Sequence, residues 1–213
     1  MIKWNRTIAL GIIASALLIG GFIGAGTTGE PQEKLRQTID AVLTVLSDKS
    51  LQGPEQTAER HAKMRQAVTK RFDFDEMARR TLGTHWRKLS PAQQQEFVPI
   101  FRALLEQSYI NKIDSADGSQ DSIRYRKETV DDDGYASVLT EIVRQNDNID
   151  VEYRMLERGD DWQIYDVVIE GVSLVNNYRT QFNKIIREAS YEALVKQMKT
   201  KLAQEQALQP PKG

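Results

Sequence analysis

The side chains able to do acid–base or metal chemistry are few and far apart along this chain. Asp166 stands between Tyr165 and Val167 in a run of β-branched and aromatic residues, and a carboxylate buried in such a strand can be tuned for proton transfer. With Tyr153 or Tyr165 it would form a small acid–base site. Hydrogen-bonded into the fold it is a structural group, the commoner outcome for a lone buried acid. Asp131, Asp132 and Asp133 precede Gly134; three acids suggest a divalent cation, but before a glycine between two strand patterns they read as a solvated hairpin turn. His61 falls on a polar helix and His85 beside Trp86 at a helix end, positions that suit solvated or structural imidazoles.

The composition removes further classes. Two histidines and no cysteine leave no disulfide, no thiolate nucleophile and no His-rich metal site. The sequence contains no G-x-x-x-x-G-K-[ST] loop, G-x-G-x-x-G, H-E-x-x-H or G-x-S-x-G, so no nucleotide-binding or hydrolase motif is visible. Basic and acidic residues number 29 and 30 and are interspersed, which argues against a nucleic-acid surface. At 213 residues and 40% apolar, the chain can fill the core of one ordinary domain by packing alone.

The N-terminus follows a different logic. MIKWNR is followed by TIALGIIASALLIGGFIGAG, free of charge, the order of a secretory n-region and h-region. Residues 1–29 are therefore expected to be a signal peptide, with small residues offering cleavage near residue 26 or 29. An uncleaved membrane anchor is the alternative, because the stretch is long enough to span a bilayer. Without cysteine, lipoprotein processing is excluded.

From Pro31 the apolar residues Leu35, Ile39, Val42, Leu43 and Leu46 recur on one helical face. LQGP at 51–54 is a turn, and a more polar, exposed helix is expected over 55–71. In RFDFDEMARRTLGTHW, Asp73 as N-cap puts Glu76 at N3 with Phe72 and Met77 flanking, a capping box with a hydrophobic staple, and Gly83 supplies the stop. LSPAQQQEF repeats the start signal with Ser90, Pro91 and Gln93. A long helix then carries Phe97, Phe101, Leu104, Leu105, Tyr109 and Ile113, with Pro99 expected to bend it. After DSADGSQD the period changes to two. Four strands are expected, Ile123–Glu128, Tyr135–Arg144, Ile149–Glu157 and Trp162–Glu170, joined as an antiparallel meander. Helices return at Ser173–Arg187 and Ser190–Ala203, and 205–213 is expected to be a flexible tail. The fold class is α+β: N-terminal helices, a four-stranded antiparallel sheet, C-terminal helices.

What remains is an excess of large apolar side chains on facing elements. Strand three alternates Ile149, Val151, Tyr153 and Met155 with charged residues; strand four carries Tyr165, Val167 and Ile169 on one side and Trp162, Ile164 and Val168 on the other. The ordinary meaning of such stripes is a filled core, and the same pattern would also line a cavity for an apolar ligand.

FDFDEMARRTLGTHWRKLSPAQQQEFVPIFRALLEQSY and WQIYDVVIEGVSLVNNYRTQFNKII resemble the MlaC family, also called the toluene-tolerance auxiliary family, over roughly residues 30–204. The resemblance implies a secreted periplasmic carrier of Gram-negative bacteria whose internal cavity holds phospholipid acyl chains and leaves the head group at the mouth. It implies that Gly171 turns the chain from strand into helix and that Val172 lies at the cavity wall. From the residue pattern, Phe101, Leu105, Tyr109, Val151, Tyr153, Val167, Ile169 and Val175 join it as candidate lining. The implied protein is a monomer and no enzyme, takes no cofactor beyond phospholipid cargo, and meets two partners. One is an inner-membrane ABC transporter complex with an MCE-domain subunit, the other an outer-membrane lipoprotein complex. Together they maintain outer-membrane lipid asymmetry. Two other readings stay open from the residues: a membrane-anchored docking module that keeps residues 7–26, and a small α+β enzyme using Asp166.

Overall fold

A computed structural model describes residues 29–114, 122–143 and 148–207. The expected signal segment up to residue 28 and the expected tail beyond 207 lie outside the described residues. Pro31 sits in the first turn of α1 (Glu30–Ser47), where its missing N–H leaves nothing unpaired. Short 3₁₀ turns at Lys49–Leu51 and Pro54–Gln56 lead to α2 (Thr57–Thr69). That helix is less exposed than its composition suggests: Arg60, His61 and Met64 are buried.

Asp73 caps α3 (Phe74–Leu82), accepting from the Glu76 N–H at 2.8 Å. The other half of the expected capping box does not form. The Asp73 N–H instead donates to the Ile164 carbonyl at 2.9 Å, and the Glu76 carboxylate accepts from Arg79 at 2.7 Å and Arg80 at 2.6 Å. A strand has taken the donor that the box needed. Gly83, at φ 54°, ends the helix with its N–H on the Arg79 carbonyl, a backbone angle that disfavours other residues. In α4 (Pro91–Asp114) both halves of the box are present: Gln93 N–H to Ser90 Oγ at 3.3 Å and Ser90 N–H to Gln93 Oε1 at 2.9 Å. The helix continues through Pro99.

The strands are β1 (Ser122–Val130), β2 (Tyr135–Val143), β3 (Asn148–Arg158), β4 (Asp161–Ile169) and β5 (Val172–Ser173), and they form one antiparallel sheet in chain order. The four long strands agree with the sequence pattern; β5 is an addition to it. Ile169 pairs with Val172 across Glu170 and Gly171, at φ 49° and 75°. Two consecutive positive φ values are what a tight two-residue hairpin demands. The chain thus turns back for one pair before Ser173 caps α5 (Leu174–Glu188), its Oγ accepting from the Asn176 N–H at 3.0 Å. α6 (Tyr191–Ala207) follows and runs beyond the expected end at Ala203.

Two register shifts reshape the sheet. One lies in β1 between Tyr125 and Lys127. In the other, Arg154 pairs with Asp166 and Met155 with Ile164, which leaves Tyr165 as the extra residue of a bulge. The expected division of β4 is corrected accordingly. Trp162 and Ile164 join Val167 and Ile169 on the inner face, against Val138, Val151, Met155 and Leu35 of α1. Tyr165 leaves that group and packs edge-on to Tyr135 at 5.8 Å, with the Arg80 guanidinium 4.0 Å from its ring centre.

The second core is helical. Met77, Leu82, Phe97, Phe101, Tyr178, Phe182 and Leu194 bring α3, α4, α5 and α6 together. Phe72 packs against both cores and bridges Ile164.

Candidate functional site

The acid–base candidates are accounted for by local structure. Asp166 is 3% exposed. It accepts from Ser173 Oγ at 2.6 Å and from the Val175 N–H at 3.0 Å, with an Arg154 guanidinium nitrogen at 3.5 Å. Both oxygens are thus engaged in holding the start of α5 to β4. Burial raises the Tyr165 hydroxyl, opposed by Arg80 and Arg154, and its ring lies on the outer face among those arginines. His61 Nε2 is 3.0 Å from Asp114 Oδ2, and the Arg60 Nη2 donates to the same oxygen at 2.7 Å. This partly buried triad fixes the start of α2 to the end of α4. His85 Nε2 meets Asn183 Oδ1 at 2.9 Å. Asp131, Asp132 and Asp133 are exposed in a turn closed by the Gly134 N–H to Asp131 carbonyl bond at 3.2 Å. Among the described residues no group of three His, Cys, Asp or Glu is gathered for a metal ion.

The apolar candidates fall into three places. Phe101, Leu105 and Val175 are buried in the helical core, and Tyr109 packs against it half-buried. Phe101 is fully enclosed, edge-on to Tyr178 at 5.6 Å and to Phe182 at 6.2 Å. Val151 and Val167 are buried on the inner face of the sheet, with Tyr153 and Ile169 half-buried beside them. Val172 belongs to neither core: on the two-residue β5 it is 49% exposed.

Apolar side chains stay partly accessible along α1 and on the inner face of the sheet. On α1 only Leu35 of the apolar stripe is buried; Ile39, Val42, Leu43 and Leu46 are all half-buried. Opposite, Tyr125, Ile142, Ile149, Tyr153, Ile169 and Leu174 are likewise only partly covered. A stripe that folding had packed fully would be closed along its length. Tyr153 lies deep in the fold, and burial alone pushes its hydroxyl up to about 12, yet the side chain keeps accessible surface. Depth with accessibility is what the wall of an interior pocket has.

Tyr125 is the residue that sequence reasoning misses. Its hydroxyl is buried and has no hydrogen-bond partner among the described residues. The alternation of Ile123 and Tyr125 with Arg124 and Arg126 is the signal that assigns it to the apolar face.

Elsewhere, a cleft of about 590 Å³ opens between α2 and α4, lined by Arg65, Thr69, Lys70, Pro99 and Arg102 among others. A smaller one of about 340 Å³ lies beside it, around Phe72, Phe74 and Val98. Neither touches any of the nine candidate residues. No helix among the described residues is long and apolar enough to cross a membrane.

Three comparisons bear on this arrangement. A family model described as MlaC protein matches residues 36–200. The intermembrane phospholipid transport system binding protein MlaC of Haemophilus influenzae is 22% identical over 129 residues, 59% of this chain and 60% of that protein. The match therefore spans less than two thirds of the relative's length. A phospholipid-binding protein from Ralstonia solanacearum, solved in complex with a phospholipid, has the same fold. The TM-score is 0.71 at 23% identity, over 83% of this chain and 99% of that one.

Proposed function

The chain belongs to the MlaC family, and from that premise we propose that it is a periplasmic phospholipid carrier. It takes acyl chains between α1 and the inner face of the sheet. It exchanges lipid with an inner-membrane ABC transporter complex bearing an MCE-domain subunit and with an outer-membrane lipoprotein complex, so maintaining outer-membrane asymmetry. The observation that carries this reading is the apolar inner face of the sheet, where the half-buried Tyr153 and Ile169 lie beside the buried Val151 and Val167 and face Leu35 and the half-buried Ile39 of α1. Phe101, Leu105 and Val175, buried in the helical core, are the further lining residues of this proposal. Tyr109 and Val172 complete the proposed lining.

The physics makes a carrier necessary and cycling possible. Burying a methylene stabilises by about 0.8 kcal/mol, so a chain of roughly 15 carbons in water costs on the order of 12 kcal/mol. An apolar interior offsets most of that. Release then requires a partner that binds the open form more tightly than the closed one. With no nucleotide motif in the sequence, the energy comes from the partner.

Native mass spectrometry of the exported protein, purified without detergent and followed by lipid extraction, tests the reading. Adducts with phospholipid masses are expected. A bare protein that stays bare after incubation with phospholipid vesicles would turn the apolar stripes into ordinary core. The same spectra give the N-terminus: loss of roughly 26 to 29 residues is expected for a cleaved signal peptide, and an intact chain would indicate an anchor.

A further inference from the structure

Among the described residues the inner face of the sheet is apolar except for Glu128, which stands opposite Val138 and accepts from the Gln32 N–H of α1 at 2.6 Å, and three hydroxyl-bearing side chains, of which the buried Tyr125 hydroxyl is without a partner. Thr140, fully buried, donates its hydroxyl to the Val151 carbonyl at 3.1 Å. Tyr125 stands opposite Thr140 on β1, and Tyr153 opposite Val138 on β3. The two tyrosines thus lie diagonally across β2. Strand spacing and rise put their backbones roughly 12 Å apart, a span that two converging tyrosine side chains can close.

An unpartnered buried hydroxyl is destabilising, and native folds rarely keep one without a reason. A phenylalanine at 125 would fill the same space at no polar cost. The ring of Tyr125 is covered by the Arg36 guanidinium of α1, 4.3 Å from its centre. This tyrosine therefore stands where the charged side of α1 meets the apolar interior. Tyr153 stands further inside.

We propose that the Tyr125 and Tyr153 hydroxyls are hydrogen-bond donors to the ester carbonyl oxygens of a diacyl lipid, fixing where the glycerol backbone rests while the acyl chains continue along the inner face. The chemistry selects this ligand part. Ester carbonyls are the polar atoms covalently next to the acyl chains, so they enter an apolar site with them. They accept hydrogen bonds and carry no proton to give. Burial raises both tyrosine hydroxyls above their ordinary values, so each remains a neutral donor across the physiological range. A neutral donor suits an uncharged carbonyl, whereas a phosphate would bring a net charge into the same apolar surroundings.

This inference rests on the carrier reading and sharpens it, since tails alone would not distinguish an ester-linked lipid from its ether-linked analogue. The test offers delipidated exported protein an equimolar vesicle mixture of diacyl phosphatidylethanolamine and its dialkyl ether counterpart, and counts bound lipid by native mass spectrometry. Wild type should favour the ester lipid about tenfold, the effect of one to two hydrogen bonds. Tyr125→Phe and Tyr153→Phe should each reduce that preference, and the double variant should abolish it. Lipid-free Tyr125→Phe should melt at or above the wild-type temperature, because the substitution removes an orphaned hydroxyl. A lower melting temperature with an unchanged ester preference would make the hydroxyl structural and overturn the proposal. Equal uptake of both lipids by wild type overturns it while leaving the carrier intact. Uptake of neither lipid overturns the carrier reading, and this inference with it.

Discussion

Ser173 Oγ donates to the Asp166 carboxylate at 2.6 Å while accepting from the Asn176 N–H at 3.0 Å, so one strand carboxylate steadies the cap of the helix that follows it. The other Asp166 oxygen takes the Val175 N–H. Asp166→Ala should lower unfolding stability by about 2–3 kcal/mol, the loss of a cap and of hydrogen bonds to a buried charged acceptor. Asp166→Asn should cost less, because the amide oxygen still accepts one of them. Urea unfolding monitored by tryptophan fluorescence reads both, and equal stability of Asp166→Ala and wild type would remove Asp166 from the joint.

The hairpin at 170–171 depends on backbone angle rather than space. A Cβ on Gly171 would meet nothing within 4 Å, yet φ is 75°. Gly171→Ala should therefore destabilise by about 1–2 kcal/mol. Gly171→Asn should restore part of the loss, since asparagine tolerates that region. Thermal melts of the two variants give the order.

Val172, with about half its surface exposed, separates folding from cargo. Val172→Glu should shift stability by no more than about 0.5 kcal/mol, as for other exposed sites. Lipid retention should be lost, because the carboxylate would be desolvated beside acyl chains. A folded Val172→Glu protein that keeps its lipid in native mass spectra would take Val172 out of the site.

Acid should attack the joint between α2 and α4. The Arg60 hydrogen bonds, ahead of His61, hold Asp114 below its ordinary carboxylate value of 3.8. A depressed folded pKa contributes stability that is complete above the ordinary value and is lost as the pH falls through the folded one. Asp114→Asn should cost about 2 kcal/mol at pH 7, the loss of hydrogen bonds from charged partners in a partly buried ion pair. That difference from wild type should shrink as the pH drops below about 4. A constant difference down the acid limb of a pH titration of urea midpoints would contradict the assignment.

The helix starts were legible because their signals are local. Asp73, Ser90 and Pro31 act within three or four residues of themselves, and each does what its spacing announces. The bulge at Tyr165 was not, because alternation shows which residues share a face only until an extra one enters, and nothing in DWQIYDVV marks the insertion. Half of the Asp73 capping box failed for a related reason: its donor is claimed by Ile164, far away in sequence. Val151 and Val167 were both candidate lining from the residue pattern, and they share one apolar face. Whether the neighbouring Tyr153 is packed over or left open depends on how closely α1 approaches. The same stripe of residue types encodes both outcomes.

The irregularity in β1 bears on how the protein behaves in a crowd. An unpaired strand edge is a template on which another chain can add itself, the first step of aggregation. Here the β1 edge carries Arg124, Arg126, Lys127 and Glu128 and loses its register between Tyr125 and Lys127. The opposite edge carries the two-residue β5, and further along β4 the Ile164 backbone is bonded by Arg71 and Asp73. A charged, bent border on one side and a stub on the other leave no flat ladder to extend, so accessible apolar surface inside the fold can coexist with a periphery that resists fibril-like growth.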